Sequence, residues 1–238
     1  MVVSADFPES RPVENRSAEI EALRANLCRM THSIQVESRR RESLSTGVSV
    51  LDDILPERGL ARGTLSEWIS EEPGSGVSSL AMNVAGESQA DGPLIVVDRS
   101  RHFHVPAMAL AGVNLNNTIF VRPQSRGDEL WAMEQSLRCP GVGAVLCRID
   151  FLKSLEFRRL QLAAASGTAI GVLIRTSTEK SQTGWADVRL LVSPRPSLPG
   201  QFQRRLAVRC IYAKGNFSDR SVDLTLCEKT GELRGTFQ

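Results

Sequence analysis

No two cysteines in this 238-residue chain stand as a C-x-x-C pair, and no apolar run is long enough to cross a bilayer. The five cysteines, Cys28, Cys139, Cys147, Cys210 and Cys227, are odd in number and widely spaced. That excludes a zinc ribbon and a paired redox motif. Cys147 and Cys210 sit in apolar runs and read as small core residues. Histidine is equally scarce. His102 and His104 alternate after Asp98, but two histidines are too few for a metal centre, so a surface loop is the expectation and no metal is expected. Excess charge is missing too: the formal net charge is +2, which gives no general electrostatic case for tight nucleic-acid binding. No Ser/His/Asp or Cys/His set can be assembled. The polar residues 1–12 hold no long apolar run, so neither a signal peptide nor a membrane span is expected, and the reading places the chain in a reducing cytoplasm. What remains is 41% hydrophobic and 24% charged, enough for one α/β domain with a full core.

Residues 1–15 carry two prolines and scattered charges and read as disordered. From Ser17 the pattern changes. Ile20, Leu23, Leu27, Met30 and Ile34 recur in steps of three and four, the mark of a helix with one apolar face. Ser17 suits its N-cap, and Glu19 and Glu21 suit its positive end. This arm either docks on a partner or folds back on its own domain. Arg39, Arg40 and Arg41 then form a basic linker. The chain thus divides into residues 1–42, a disordered N-terminus plus helical arm, and residues 43–238, the core.

Within the core, Ser49 or Thr46 is expected to cap a short helix through Leu55. Thr64 to Ile69 reads as a strand, and a helix is expected from Ser78 to about Gln89. Strands follow at Leu94–Asp98, Thr118–Val121, Gly143–Cys147 and Ala169–Ile174. They alternate with helices near Pro106–Gly112, Asp128–Leu137 and Leu152–Ala165. That alternation predicts a parallel sheet with helices on both faces. Val188–Val192, Arg205–Tyr212 and Val222–Cys227 lack intervening helices and are expected to be antiparallel edge strands. The polar stretch from Thr176 to Ala186 is too long for a tight connection.

The chemistry-bearing stretch is Pro73-Gly74-Ser75-Gly76-Val77-Ser78-Ser79-Leu80. It sits at the first strand-to-helix turn, where a phosphate loop reads G-x-x-x-x-G-K-[ST]. In that frame Val77 occupies the lysine position and Glu71 the first glycine. A valine cannot offset triphosphate charge, and a carboxylate near the loop repels it. Gly74, Gly76, Val77, Ser78 and Ser79 therefore form a degenerate nucleotide loop, and no nucleotide cofactor is expected. The loop reads either as a plain helix start capped by Ser78 or as a residual anion cradle.

Several landmarks fall in the order of a RecA recombinase core. Leu44-Ser45-Thr46-Gly47 through Asp52, then Gly59-Leu60-Ala61-Arg62-Gly63-Thr64, resemble its entry. Leu94 to Gly112 with Val113-Asn114-Leu115-Asn116-Asn117 resembles its next strand and link. Ile170 to Leu190 resembles its last parallel strand, second DNA loop and following strand. The resemblance spans roughly residues 43–226 and implies a RecA-like P-loop NTPase fold. Measured against it, Arg148 stands where a magnesium-ordering aspartate is expected, and Ser100 where a catalytic glutamate is expected. With Val77, charge neutralisation, the metal's carboxylate and the water-orienting base are all lost, so no ATPase activity is expected.

A RecA-like core with a degraded nucleotide site and a helical arm is similar to the ImuA family. Leu130-Trp131-Ala132-Met133-Glu134-Gln135 and Arg158-Arg159-Leu160-Gln161-Leu162-Ala163-Ala164 also resemble it. That resemblance implies an accessory protein of the bacterial SOS DNA-damage response. It implies work in translesion synthesis with an ImuB-like Y-family polymerase relative, RecA and an error-prone replicative-type polymerase. Ile20, Leu23, Leu27, Met30 and Lys214 are the candidate partner contacts, and Lys214 in solvent is the plainer reading. Lys180, Gly184 and Trp185 are a candidate single-stranded-DNA loop, on a thin platform of one cation and one aromatic. Two alternatives stand beside this: a RecA-like ATP- or single-stranded-DNA-binding protein with an atypical loop, and a SulA-like cell-division inhibitor.

Overall fold

The computed structural model describes residues 43–176, 186–197, 202–214 and 219–235. The arm residues Ile20, Leu23, Leu27 and Met30, and the loop residues Lys180, Gly184 and Trp185, lie outside the described residues.

The described residues begin with a two-stranded ribbon, β1 (Ser43–Leu44) and β2 (Leu60–Ala61), around one short helix, α1 (Ser49–Asp52). Contrary to the sequence expectation, neither Ser49 nor Thr46 caps that helix. The N-cap is Val48, without a side-chain bond, and the roles are reversed. The Asp52 carboxylate accepts from the Thr46 amide at 2.8 Å, the Thr46 hydroxyl at 2.7 Å and the Ser45 hydroxyl at 2.6 Å.

The main sheet follows. Its strands are β3 (Leu65–Ser70), β4 (Leu94–Val97), β5 (Thr118–Val121), β6 (Ala144–Arg148), β7 (Ile170–Thr176), β8 (Val188–Arg195), β9 (Gln203–Ala213), β10 (Arg220–Cys227) and β11 (Leu233–Gly235). The helices are α2 (Val77–Glu87), α3 (Val105–Leu110), α4 (Arg126–Arg138) and α5 (Ser154–Ser166). The order across the nine strands is β11-β10-β9-β8-β3-β7-β6-β4-β5. The central strands are buried on both faces, which is why Leu94-Ile95-Val96-Val97 reads as a continuous apolar run.

One expectation fails here. The strand beginning at Val188 is not antiparallel: β8 pairs parallel with β3 and antiparallel only with β9. Both β7 and β8 run parallel to β3, so the chain re-enters at the amino end of the sheet between them. The antiparallel strands begin only at β9 and continue through β10 and β11.

Alternation along the strands sorts the core into two layers. Trp68, Leu146, Val172, Leu190 and Leu206 face α1, α2 and α3, with Leu51, Leu80, Val84 and Met108 packed against them. Leu65, Ile95, Val145 and Leu173 face α4 and α5, where Met133, Leu137, Phe157 and Leu160 meet them. Each such buried side chain contributes about 1.5–3 kcal/mol relative to exposure. Cys147 and Cys210 are fully buried, as expected of small core residues. Burial, with Glu129 and Asp98 adding to it, pushes the Cys147 thiol well above its ordinary pKa, so it stays protonated and inert.

Candidate nucleotide-loop site

The loop leaves β3 at Ser70 and enters α2 at Val77. Gly74 and Gly76 turn it, with φ of 80° and 82°, the left-handed region that a side chain resists. A Cβ on Gly76 meets Leu206 Cδ2 at 2.8 Å, so β9 packs directly under the turn. The Ser75 side chain is buried, 2.9 Å from the Ser70 hydroxyl, and it accepts from the Val77 amide at 3.4 Å. The Ser70 hydroxyl donates to the Glu72 carbonyl at 2.7 Å. These bonds hold the turn with the loop's own hydroxyls. The cap of α2 is Gly76, not Ser78, which lies inside the helix. Ser78 and Ser79 are half-buried in the first turn, where amides lack intrahelical acceptors.

The residue at the lysine position points away from this cradle. Val77 is 6% exposed and belongs to the core layer with Leu80 and Trp68. Glu71 is exposed and held on the β8 side. Its amide donates to the Val192 carbonyl at 3.0 Å, and its carboxylate accepts from the Ser193 hydroxyl. Arg204 of β9 is the cation beside the loop, with Nη1 3.5 Å from the Gly74 carbonyl and Nη2 3.1 Å from Glu228.

Parallel pairing of β3 with β7, β7 with β6 and β6 with β4 carries the loop, Ser100 and Arg148 to one rim. Ser100 is exposed in the turn after β4. Asp98, just before it, is buried and accepts from the His102 amide at 2.7 Å and the Phe103 amide at 3.2 Å, so this carboxylate organises its own turn. His102 and His104 are exposed, and no cluster of three metal-binding side chains exists among the described residues. Arg148 ends β6, on the face it shares with Ala144 and Leu146 and hence with α2. Its Nε is buried without a hydrogen-bond acceptor among the described residues. Lys214 is not brought to this rim. It follows Ala213, which pairs with Val188 at the amino end of β8. There its side chain is 69% exposed and lies 3.5 Å from Asp187.

One cluster escaped the sequence reading. Glu67 in β3 is fully buried between Arg175 of β7, which pairs with one carboxylate oxygen, and Arg189 of β8, whose Nε lies 2.5 Å from the other. Arg175 also stacks 5.8 Å from the Phe157 ring centre. The available signal was a charge next to apolar residues in each strand: Glu67 beside Trp68, Arg175 after Ile174, and Arg189 between Val188 and Leu190.

A strand-to-helix loop at the carboxyl rim of a parallel sheet, with antiparallel strands added at one edge, makes this a RecA-like fold. The likeness is visible in particular proteins. RecA of Chlorobium limicola is 32% identical over 106 residues, 44% of this chain and 30% of that protein. RecA of Chlorobium chlorochromatii is 31% identical over 106 residues, with the same shares. The chain therefore spans about 30% of the length of the RecA relatives it matches. The crystal structure of the RadB recombinase superposes with a TM-score of 0.61 at 15% identity, covering 82% of this chain and 100% of RadB. No family model matches the chain.

Proposed function

We propose that this chain is a non-catalytic, RecA-like accessory protein of DNA repair that works through protein contacts. The observation that carries the reading is the fate of the loop: Val77 is packed into the core, and Arg148 ends β6, two strands along the same rim and on the same face. On this reading the residues do not fit a magnesium nucleotide. The loop supplies backbone amides but no lysine, and a guanidinium stands where a metal needs a carboxylate. The DNA-repair setting draws on the RecA and RadB likenesses. Within it, an ImuA-type role in SOS mutagenesis and translesion synthesis is the finer proposal, with an ImuB-like Y-family relative, RecA and an error-prone polymerase as partners in the cytoplasm.

The test is a titration of the full chain with ATP and magnesium, with turnover followed by phosphate release, beside co-purification with RecA and with an ImuB-like protein. No turnover together with a stable complex is the expected result. Micromolar ATP binding with turnover overturns the reading in favour of an atypical ATPase. Filamentation of cells on overexpression, with no effect on induced mutagenesis, favours a division inhibitor instead.

A further inference from the structure

The α4–α5 layer stops short of the antiparallel end of the sheet. Its apolar cluster holds no residue of β8, β9 or β10. On those strands Leu190, Val192, Leu206, Val208 and Leu224 turn to the opposite layer. The residues alternating with them therefore share the face on the α4–α5 side. Strand register sets that face in rows. Arg195 of β8 lies opposite Arg205 of β9, which lies opposite Thr225 of β10. Ser193, Ala207 and Asp223 form the next row, and Leu191, Arg209 and Ser221 the one after. Beyond the irregularity in this pairing, Tyr212 faces Arg189. Arg195, Arg209 and Tyr212 are exposed, and Arg205 is half-buried.

The arginines of this face are poorly satisfied. Like charges directly opposite one another destabilise a strand pair, and Arg195 and Arg205 stand that way. Asp223 serves both, with one oxygen 3.5 Å from Arg195 Nε and the other 3.9 Å from Arg205 Nη2. Arg209 Nε lies 3.3 Å from Asp219. All three separations exceed the roughly 2.7–2.9 Å of a charge-assisted hydrogen bond. The three guanidinium groups form no hydrogen bond among the described residues, and Arg205 Nε is a buried donor without an acceptor. On the helix pair, by contrast, Arg126 and Arg159 reach their carboxylates at 2.8 and 2.6 Å. Three arginines thus share two distant carboxylates and keep donors to spare.

We propose that this face docks an extended acidic segment of a partner protein, whose carboxylates are gripped by Arg195, Arg205 and Arg209. The proposal rests on the reading that the chain works through protein contacts, and it gives those contacts a place and a chemistry. Arg205 and Arg209 are four residues apart on one face of β9, about 13 Å. An extended peptide sets side chains i and i+4 on one face at the same spacing. Two such carboxylates reach both arginines, and the neutral residues between them cross the low floor of Ala207 beside Asp223. Arg195 joins Arg205 on the first carboxylate, and the guanidinium fork matches a planar carboxylate through paired bonds. A phosphodiester strand fits this face less well. It carries a charge at every nucleotide, which Asp223 and Asp219 oppose, and Tyr212 alone is a thin platform for stacked bases.

The test is fluorescence anisotropy of the full chain with a labelled serine peptide carrying glutamate at every fourth position. The same peptide with glutamine in place of glutamate, and a labelled oligothymidylate, are the comparison probes. The glutamate peptide is expected to bind and the glutamine peptide not to. Arg205→Gln together with Arg209→Gln is expected to weaken binding at least about tenfold. Arg158→Gln, at an exposed position on α5, is expected to leave it unchanged. Asp223→Asn removes the competing carboxylate and is expected to tighten binding by about two- to fivefold, a gain that a misfolded variant cannot give. Equal binding of the two peptides, or an equal loss in Arg158→Gln, overturns the proposal. Oligothymidylate that binds more tightly than the glutamate peptide and is lost in the double variant also overturns it, and assigns the face to nucleic acid. Phosphate release from ATP is followed in the same preparation. Absent peptide binding without turnover overturns this docking face alone, whereas turnover overturns the non-catalytic reading beneath it.

Discussion

At Val77 and Gly76, neighbouring side chains occupy the space beside the loop. Val77 is 6% exposed, so Val77→Lys places an ammonium in the layer formed by Leu80 and Trp68. We expect no ATP turnover from this substitution, because no carboxylate replaces Arg148 or Ser100. We also expect a loss of about 2–4 kcal/mol in urea unfolding from the buried charge. Turnover in this single variant, measured by phosphate release, would show that the rim had kept its catalytic groups. Gly76→Ala meets two penalties at once, a φ of 82° and a Leu206 contact at 2.8 Å. The expected cost is at least about 1 kcal/mol. Gly74 has φ of 80° with nothing within 4 Å of its Cβ, so Gly74→Ala isolates the backbone term and costs less.

At the scale of elements, α4 and α5 are joined by charges with a defined pH response. Burial opposes ionisation of Glu156. The Lys153 amide, donating at 2.9 Å, and the Arg126 guanidinium outweigh it and lower the pKa. A carboxyl with a lower pKa in the folded state stabilises the fold above its unfolded pKa of about 4.3. That contribution fades as the pH falls through the lower folded value. Glu156→Gln is therefore expected to cost up to about 1 kcal/mol at neutral pH, with the gap closing in acid. Parallel denaturant curves at neutral and acid pH check it. A gap that persists in acid would assign the effect to packing. The elements themselves were legible in sequence to different depths. Alternating apolar strands and helices gave the parallel core, because fully buried strands such as β4 have no polar face to hide the signal. The direction of β8 was not legible. Periodicity reports burial, and a strand of Val188-Arg189-Leu190-Leu191-Val192 reads the same whichever way it runs. At the candidate site, the position of the strand-to-helix loop was readable from motif spacing, whereas Ser100 and Arg148 were singled out only by the resemblance to RecA. The Leu206 contact under Gly76 was not readable, since it comes from β9, more than a hundred residues away.

At the scale of the molecule, Glu67 ties together β8, β3 and β7, the strands at the centre of the sheet. One carboxylate meets two arginines there, and the side chains of Glu67 and Arg175 are both 0% exposed. Such a cluster stabilises weakly compared with apolar packing, because its desolvation offsets the attraction. Breaking it is another matter. Glu67→Ala leaves two guanidinium groups in the interior without this carboxylate, and the expected cost is about 3–5 kcal/mol. That is a large part of the 5–15 kcal/mol by which a domain is typically stable. Replacing the whole cluster by Glu67→Leu, Arg175→Met and Arg189→Leu removes the charges together, so the triple variant is expected to be more stable than Glu67→Ala, though it carries three changes. Urea unfolding of the two variants decides the matter. If the triple variant unfolds as easily as Glu67→Ala, uncompensated charge is not the cause, and the cluster acts through the shape and hydrogen bonding of its side chains across three strands.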